Sequence, residues 1–144
     1  VEPWASFPDG CWVALDDDIG GEAVVGFAAA SAVTDSADDA LPEFFDLRKR
    51  WGRVRWVSVA PERWRLGIGR RLTATAVERL LEIGCEGICL ETTETQEAAI
   101  ALYESMGFVE RGRTTIHIWT QVWMEYVSSR RDVTPPLPRD TIDP

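Results

Sequence analysis

The residues best suited to chemistry lie between Val57 and Arg71 (VSVAPERWRLGIGRR). A strand-like run stops at Pro61, an arginine-rich loop follows, and Gly67 and Gly69 open a segment with helical spacing. Glycines there let a ligand approach the backbone, and the first turn of a helix leaves amide N–H groups without intrahelical partners. Those donors, at the positive end of the helix dipole, suit a phosphate or pyrophosphate. An ordinary strand-to-helix turn with solvated arginines has the same spelling. The lone GxG carries neither a Walker lysine nor the third glycine of a dinucleotide fold.

Other candidate groups are few. Alternation along Gly87–Thr93 puts Cys89, Glu91 and Thr93 on one face and Ile88, Leu90 and Thr92 on the other. Tyr103 falls on the stripe Ala99, Leu102, Tyr103, Met106, a spacing that by itself describes a core tyrosine. Cys11, Cys85 and Cys89 show no CxxC spacing and read as reduced thiols in a cytoplasmic protein. A zinc site would need all three around the single histidine, His117, so no metal is expected.

Charge narrows the partners. The net charge is −9, yet Arg48 to Arg71 holds nine basic residues and one acid, Glu62, leaving that window at +8 and the other 120 residues at −17. A polyanion with several phosphates fits the window, and a solvated basic stretch balancing an acidic surface is the plainer reading. Nucleic acid is not expected, because the acidic remainder repels its backbone. The uncharged stretch Ala23 to Thr34 is too short to cross a bilayer, so no membrane partner is expected either. No secretory signal is read at the start, although a chain opening on Val1 leaves a processed or excised piece open. With 45% apolar and 27% charged residues in 144, the composition excludes a largely disordered chain.

The elements that must position these groups follow from periodicity. Cys11–Asp16 and Ala23–Val33 read as a strand hairpin, and Leu41, Phe44, Phe45 and Leu47 as a short helix against Trp51. Arg53–Ala60 is a strand, and Gly67–Ile83 a helix with Ile68, Leu72, Ala76, Leu80 and Ile83 on one face. Gly87–Thr92 is a strand and Thr95–Met106 a helix stopped by Gly107; Phe108–Arg111 and Thr115–Val127 add two strands. The order describes an α/β domain over residues 1–128, with an irregular lead-in at 1–10 and a proline-rich tail at 129–144.

In this order and at this separation, the VSVAPERWRLGIGRR loop, the LET strand and AIALYESMGF (99–108) resemble the GNAT acyl-CoA N-acyltransferases. The resemblance implies a GNAT fold, a single mixed and mostly antiparallel sheet splayed at the acetyl-CoA site with flanking helices. Val57, Ser58 and Val59 match the strand whose backbone pairs with pantetheine, and Arg65, Leu66, Gly67, Ile68, Gly69 and Arg70 match the pyrophosphate loop. Trp64 stands where relatives often carry Gln or Arg, and Gln96 where many place a cofactor-contacting asparagine. Tyr103 matches the tyrosine that protonates the departing thiolate, a general-acid role. Glu91 matches a glutamate used as base by some relatives, against the plainer reading of a strand glutamate held by an arginine. His117, on a late strand, is a weaker candidate base.

The implied reaction transfers acetyl from acetyl-CoA to a primary amine by direct attack in a ternary complex, with no metal. A small cationic amine suits the acidic remainder. A protein N-terminus as acceptor, or a non-catalytic acyl-CoA-binding module, are the alternatives. The usual first strand and its helices are missing or reduced ahead of Cys11. That leaves part of the acceptor wall to a partner, to a second copy of the chain in a homodimer, or to chain outside this sequence.

Overall fold

The computed structural model describes residues 9–16 and 23–127. Six strands form one sheet: β1 (Gly10–Asp16), β2 (Ala23–Ala32), β3 (Trp51–Val59), β4 (Gly87–Thr93), β5 (Phe108–Ile116) and β6 (Trp119–Tyr126). Helix α1 (Ile68–Glu82) links β3 to β4, and α2 (Glu97–Ser105) links β4 to β5. The order across the sheet is β1-β2-β3-β4-β6-β5. Only β3 and β4 are parallel, and a parallel pair needs the crossover that α1 supplies. The mixed, mostly antiparallel sheet with flanking helices is as expected.

Two cores occupy the two faces. Ile88, Leu90, Val54, Val122 and Met124 pack with Val77 and Leu80 of α1 and with Tyr103 of α2. Cys89, between Ile88 and Leu90, points the other way, to Phe45, Trp51 and Trp123. Phe45 meets Trp51 edge-on at 5.0 Å and Trp123 at 5.9 Å. Each large side chain so buried contributes about 1.5–3 kcal/mol. Gly87 is required by this packing: a Cβ there would lie 2.5 Å from the Trp51 ring.

Two expectations need correction. Residues 41–47 form turns, with a 3₁₀ turn at Ala37–Asp39 just before them, instead of a short helix. Asp46 explains the difference. Its carboxylate accepts from the Arg48 amide at 3.1 Å, and its carbonyl accepts from the Trp51 indole at 2.7 Å, both competing with helical bonding. The apolar residues still pack as their types demand, Phe45 against Trp51. The late strands are also redrawn: β5 runs on to Ile116, and Ile116 pairs with Trp119 across a two-residue turn. His117 takes a left-handed φ of 56° at that turn, so it is exposed at a hairpin tip and not within a strand. The tail at 129–144, most of the lead-in and the turn after Asp16 lie outside the described residues.

Candidate active site

The sheet comes apart in its middle. β3 and β4 pair only through Trp51–Gly87, Gly52–Ile88 and Arg53–Cys89. Beyond Arg53, β3 stays with β2 and β4 stays with β6. A bulge turns β3 away: Phe27 faces Ser58 but Ala29 faces Arg55, with Trp56 at a left-handed φ of 55° between them. The Ala60 amide donates to the Val25 carbonyl at 2.8 Å, towards β2. Alternation therefore turns the backbone groups of Ser58 to β2, and those of Val57 and Val59 to the split. The Val59 carbonyl accepts a hydrogen bond from the Trp64 indole at 2.8 Å.

The loop after β3 delivers α1 to the mouth of this split. Pro61–Arg63 form a 3₁₀ turn, and Arg65 and Gly67 take left-handed φ values of 68° and 83°. Gly67 caps the helix without any side-chain hydrogen bond, and the Arg71 amide donates to its carbonyl at 3.0 Å. The amides of Ile68, Gly69 and Arg70 thus belong to the unpaired first turn. A Cβ at Gly69 would lie 3.4 Å from Leu102 of α2 and 3.6 Å from Val59, which fixes the helix end between α2 and the strand. Leu66, on the same loop, is exposed.

The +8 segment divides once folded. Arg53 pairs with Glu91 and Arg55 with Asp39, on the face opposite α1. Arg48 pairs with Asp46, Lys49 lies 4.0 Å from Glu125, and the Arg50 guanidinium donates to the Ile83 carbonyl at 3.4 Å. Arg63, Arg65, Arg70 and Arg71 remain on the loop and first turn of α1. Arg70 reaches across to α2, donating to the Ser105 hydroxyl at 2.5 Å.

Tyr103 projects from α2 into the α1-side core, 7% exposed, with its ring 5.7 Å from Phe108. Burial pushes its phenol up to about 12, so it holds its proton at any neutral pH. Gln96 is exposed just ahead of α2, and its side-chain oxygen accepts from the Thr92 hydroxyl of β4.

Glu91 lies on the opposite face, two residues past the last β3–β4 pair. One carboxylate oxygen accepts from Arg53 and the other from the Gln121 amide. The Gln121 oxygen accepts from Thr114 at 3.1 Å, and Thr114 accepts from the Trp123 indole at 2.9 Å. The Arg53 guanidinium sits 5.0 Å over the Trp123 ring. Burial, then the like charge of Arg55, lower the Arg53 pKa. Sequence reasoning missed Arg53, Gln121, Thr114 and Trp123, since they reach Glu91 from three other strands. The one legible signal was charge alternating with Val and Trp in RVRWV.

The family model described as "Acetyltransferase (GNAT) family" matches residues 2–108. The chain belongs to that family. A probable N-acetyltransferase camello of Xenopus tropicalis is 33% identical over 119 residues, 80% of this chain and 47% of that protein. The chain spans less than half the length of the curated relatives it matches. Among solved structures, nourseothricin acetyltransferase is 27% identical with a TM-score of 0.62, over 80% of this chain and 62% of that one. The NatC complex bound to Gag peptide and CoA shares the fold, with a TM-score of 0.68 at 21% identity, over 85% of this chain and 73% of that one. No described helix is long and apolar enough to cross a membrane.

Proposed function

We propose that the chain is an acetyl-CoA-dependent N-acetyltransferase acting on a primary amine, with a small cationic amine as the favoured acceptor. The observation that carries it is the split between β3 and β4 opening onto the uncapped first turn of α1. Pantetheine adds to the free edge of β3 as a strand would, through Val57 and Val59, with Ser58 between them facing β2. The pyrophosphate lies on the amides of the segment Arg65–Arg70, with Gln96 touching the donor from the α2 side.

The amine then attacks the thioester carbonyl carbon. A C–N bond forms, the C–S bond breaks, and the sulfur leaves as thiolate. Tyr103 gives that sulfur its proton, a role suited to a phenol held neutral by burial. Glu91 takes the proton that the ammonium loses before attack, directly or through water, and the second proton shed by the nitrogen as the amide forms returns through water to the Tyr103 oxygen. The products are an amide and free CoA.

The acidic surface supports a cationic acceptor, and relatives named for a small-molecule antibiotic and for a peptide complex keep the class of acceptor a matter for assay. The outer strands β1 and β2 expose Val13, Leu15 and Val24, and we assign the rest of the acceptor wall to a second copy, a partner or further chain. Free Cys11 and buried free Cys85 and Cys89 suit a reducing cytoplasm. The test is a panel of amines and peptides with acetyl-CoA, read by thiol release. Release that needs an amine supports the reading; donor binding without release with any amine leaves a binding module.

A further inference from the structure

Every hydrogen bond in the cluster around Glu91 points the same way. The Trp123 indole N–H can only donate, and it donates to the Thr114 oxygen. Thr114 spends its hydroxyl proton on the Gln121 carbonyl oxygen, which can only accept. With its oxygen taken by Thr114, the Gln121 amide turns its NH₂ to Glu91 and donates to it. Arg53 donates to the other oxygen from the opposite side. The chain of donors runs from β6 to β5, back to β6, and ends on one carboxylate of β4. Arg53 closes it into a ring, because its guanidinium also covers the Trp123 indole at 5.0 Å.

Such an arrangement suits an ionised Glu91. Glu91 accepts from two fixed donors, and a carboxylate has about four acceptor positions, so it keeps room for a further donor such as an ammonium or a water. A protonated Glu91 would turn an O–H towards Arg53, which can only donate, or towards Gln121, whose amide would have to turn over and give up the bond it accepts from Thr114. With Arg53 11% exposed and Glu91 23% exposed on their side chains, water compensates poorly for that mismatch. The ring thus holds the rotamer of Glu91 with two donors on its carboxylate, two residues past the last rung that joins β3 and β4.

We propose that Arg53, Gln121 and Thr114 are positioning residues that hold Glu91 aimed at the acceptor amine, with Thr114 setting the orientation of the Gln121 amide from a distance. The proposal rests on the base role given to Glu91 above. The other charged groups on this face are Arg55 with Asp39 beside Arg53, and Glu125 of β6 with Lys49 and Arg111. These pairs are left unchanged and are common background in every variant below.

The experiment compares Thr114→Val, Arg53→Lys and Glu91→Gln, and the double variant Thr114→Val with Glu91→Gln. Each is read by kcat, by the acetyl-CoA KM, by the pH profile of kcat/KM, and by Tm. Thr114→Val keeps the shape of the side chain while removing both of its hydrogen bonds. It is expected to lower kcat roughly tenfold, less than the 10²–10⁴ that a general base itself contributes, with the acetyl-CoA KM within about twofold. The acid limb of kcat/KM is expected to move to higher pH, since the carboxylate loses donors that favour its ionised form. Arg53→Lys keeps the charge but loses the planar fork and its cover over Trp123, and is expected to act in the same direction.

In the double variant the Thr114 change should add almost nothing to Glu91→Gln, because both act through one group. Additive losses, or a Thr114→Val protein altered only in Tm, would overturn the positioning role while leaving Glu91 as base. A Glu91→Gln enzyme with the parent rate and pH profile would overturn the base role itself, and the positioning proposal with it.

Discussion

The indole N–H of Trp64 donates to the Val59 carbonyl at 2.8 Å, and that carbonyl faces the split in which we propose that pantetheine pairs. The strand edge offered to the donor is therefore partly taken by the protein itself. Trp64 is 61% exposed, so little packing holds the ring in place. Trp64→Phe keeps an aromatic ring and frees the carbonyl. Acetyl-CoA should then bind a few-fold more tightly by calorimetry, as one neutral hydrogen bond is worth about 1 kcal/mol net. Weaker binding would mean that the indole contacts the donor instead of competing with it.

Tyr103 should separate turnover from binding. Tyr103→Phe removes the hydroxyl and keeps the contact with Phe108. The kcat is expected to fall by at least about 10²-fold with the acetyl-CoA Kd within twofold. Because burial pushes the phenol up to about 12, wild-type turnover should show no alkaline limb from this group near pH 10. A limb at pH 10 that vanishes in Tyr103→Phe would contradict the buried, neutral phenol.

Salt dependence should be milder than a +8 segment suggests. Arg53 and Arg55 are committed to Glu91 and Asp39 on the far face, so they do not meet the phosphates. Replacing Arg65 and Arg71 with alanine should weaken acetyl-CoA binding and flatten its dependence on ionic strength, as screening acts on the charges that face the ligand. Arg55→Ala should leave that slope unchanged. Titrations at low and high salt decide between them.

Stability should decline as the solution turns alkaline, from about pH 9 upwards. Burial pushes both the Cys89 thiol and the Tyr103 phenol up to about 12, from ordinary values of 9.0 and 10.0. The folded state keeps protons that the unfolded chain gives up, so this stability is complete below pH 9 and is lost as pH rises towards 12. Each group steepens the loss by at most about 1.4 kcal/mol per pH unit. Cys89→Ala should lower Tm at pH 8 through the cavity it leaves, yet give a shallower fall between pH 9 and 11. Parallel slopes for the two proteins would show that the thiol is not protected by burial.

The helices and central strands were legible because their signals are local. Gly67 and Gly84 bracket α1, and its apolar residues recur on one face from Leu72 to Leu80. The turns at 41–47 were misread because their apolar residues have helical spacing, while the bonds that decide them come from Asp46 to Arg48 and Trp51. The His117 turn carries no glycine or asparagine to announce it. At the candidate site, the free strand edge, the loop and the helix end were readable because they lie on one contiguous stretch, Val57 to Arg71. The Glu91 side was not, since Arg53, Gln121 and Thr114 reach it only through the order β3-β4-β6-β5, which adjacency in sequence does not reveal.

The most direct measurement mixes the protein with acetyl-CoA and a panel of amines, following thiol release and identifying the acetylated amine by mass spectrometry. Thiol release that depends on the amine, matched mole for mole by its amide and lost in Tyr103→Phe, is the expected result. Acetyl-CoA binding at the split with no amide formed from any amine, in protein shown to be folded, would contradict an acetyltransferase.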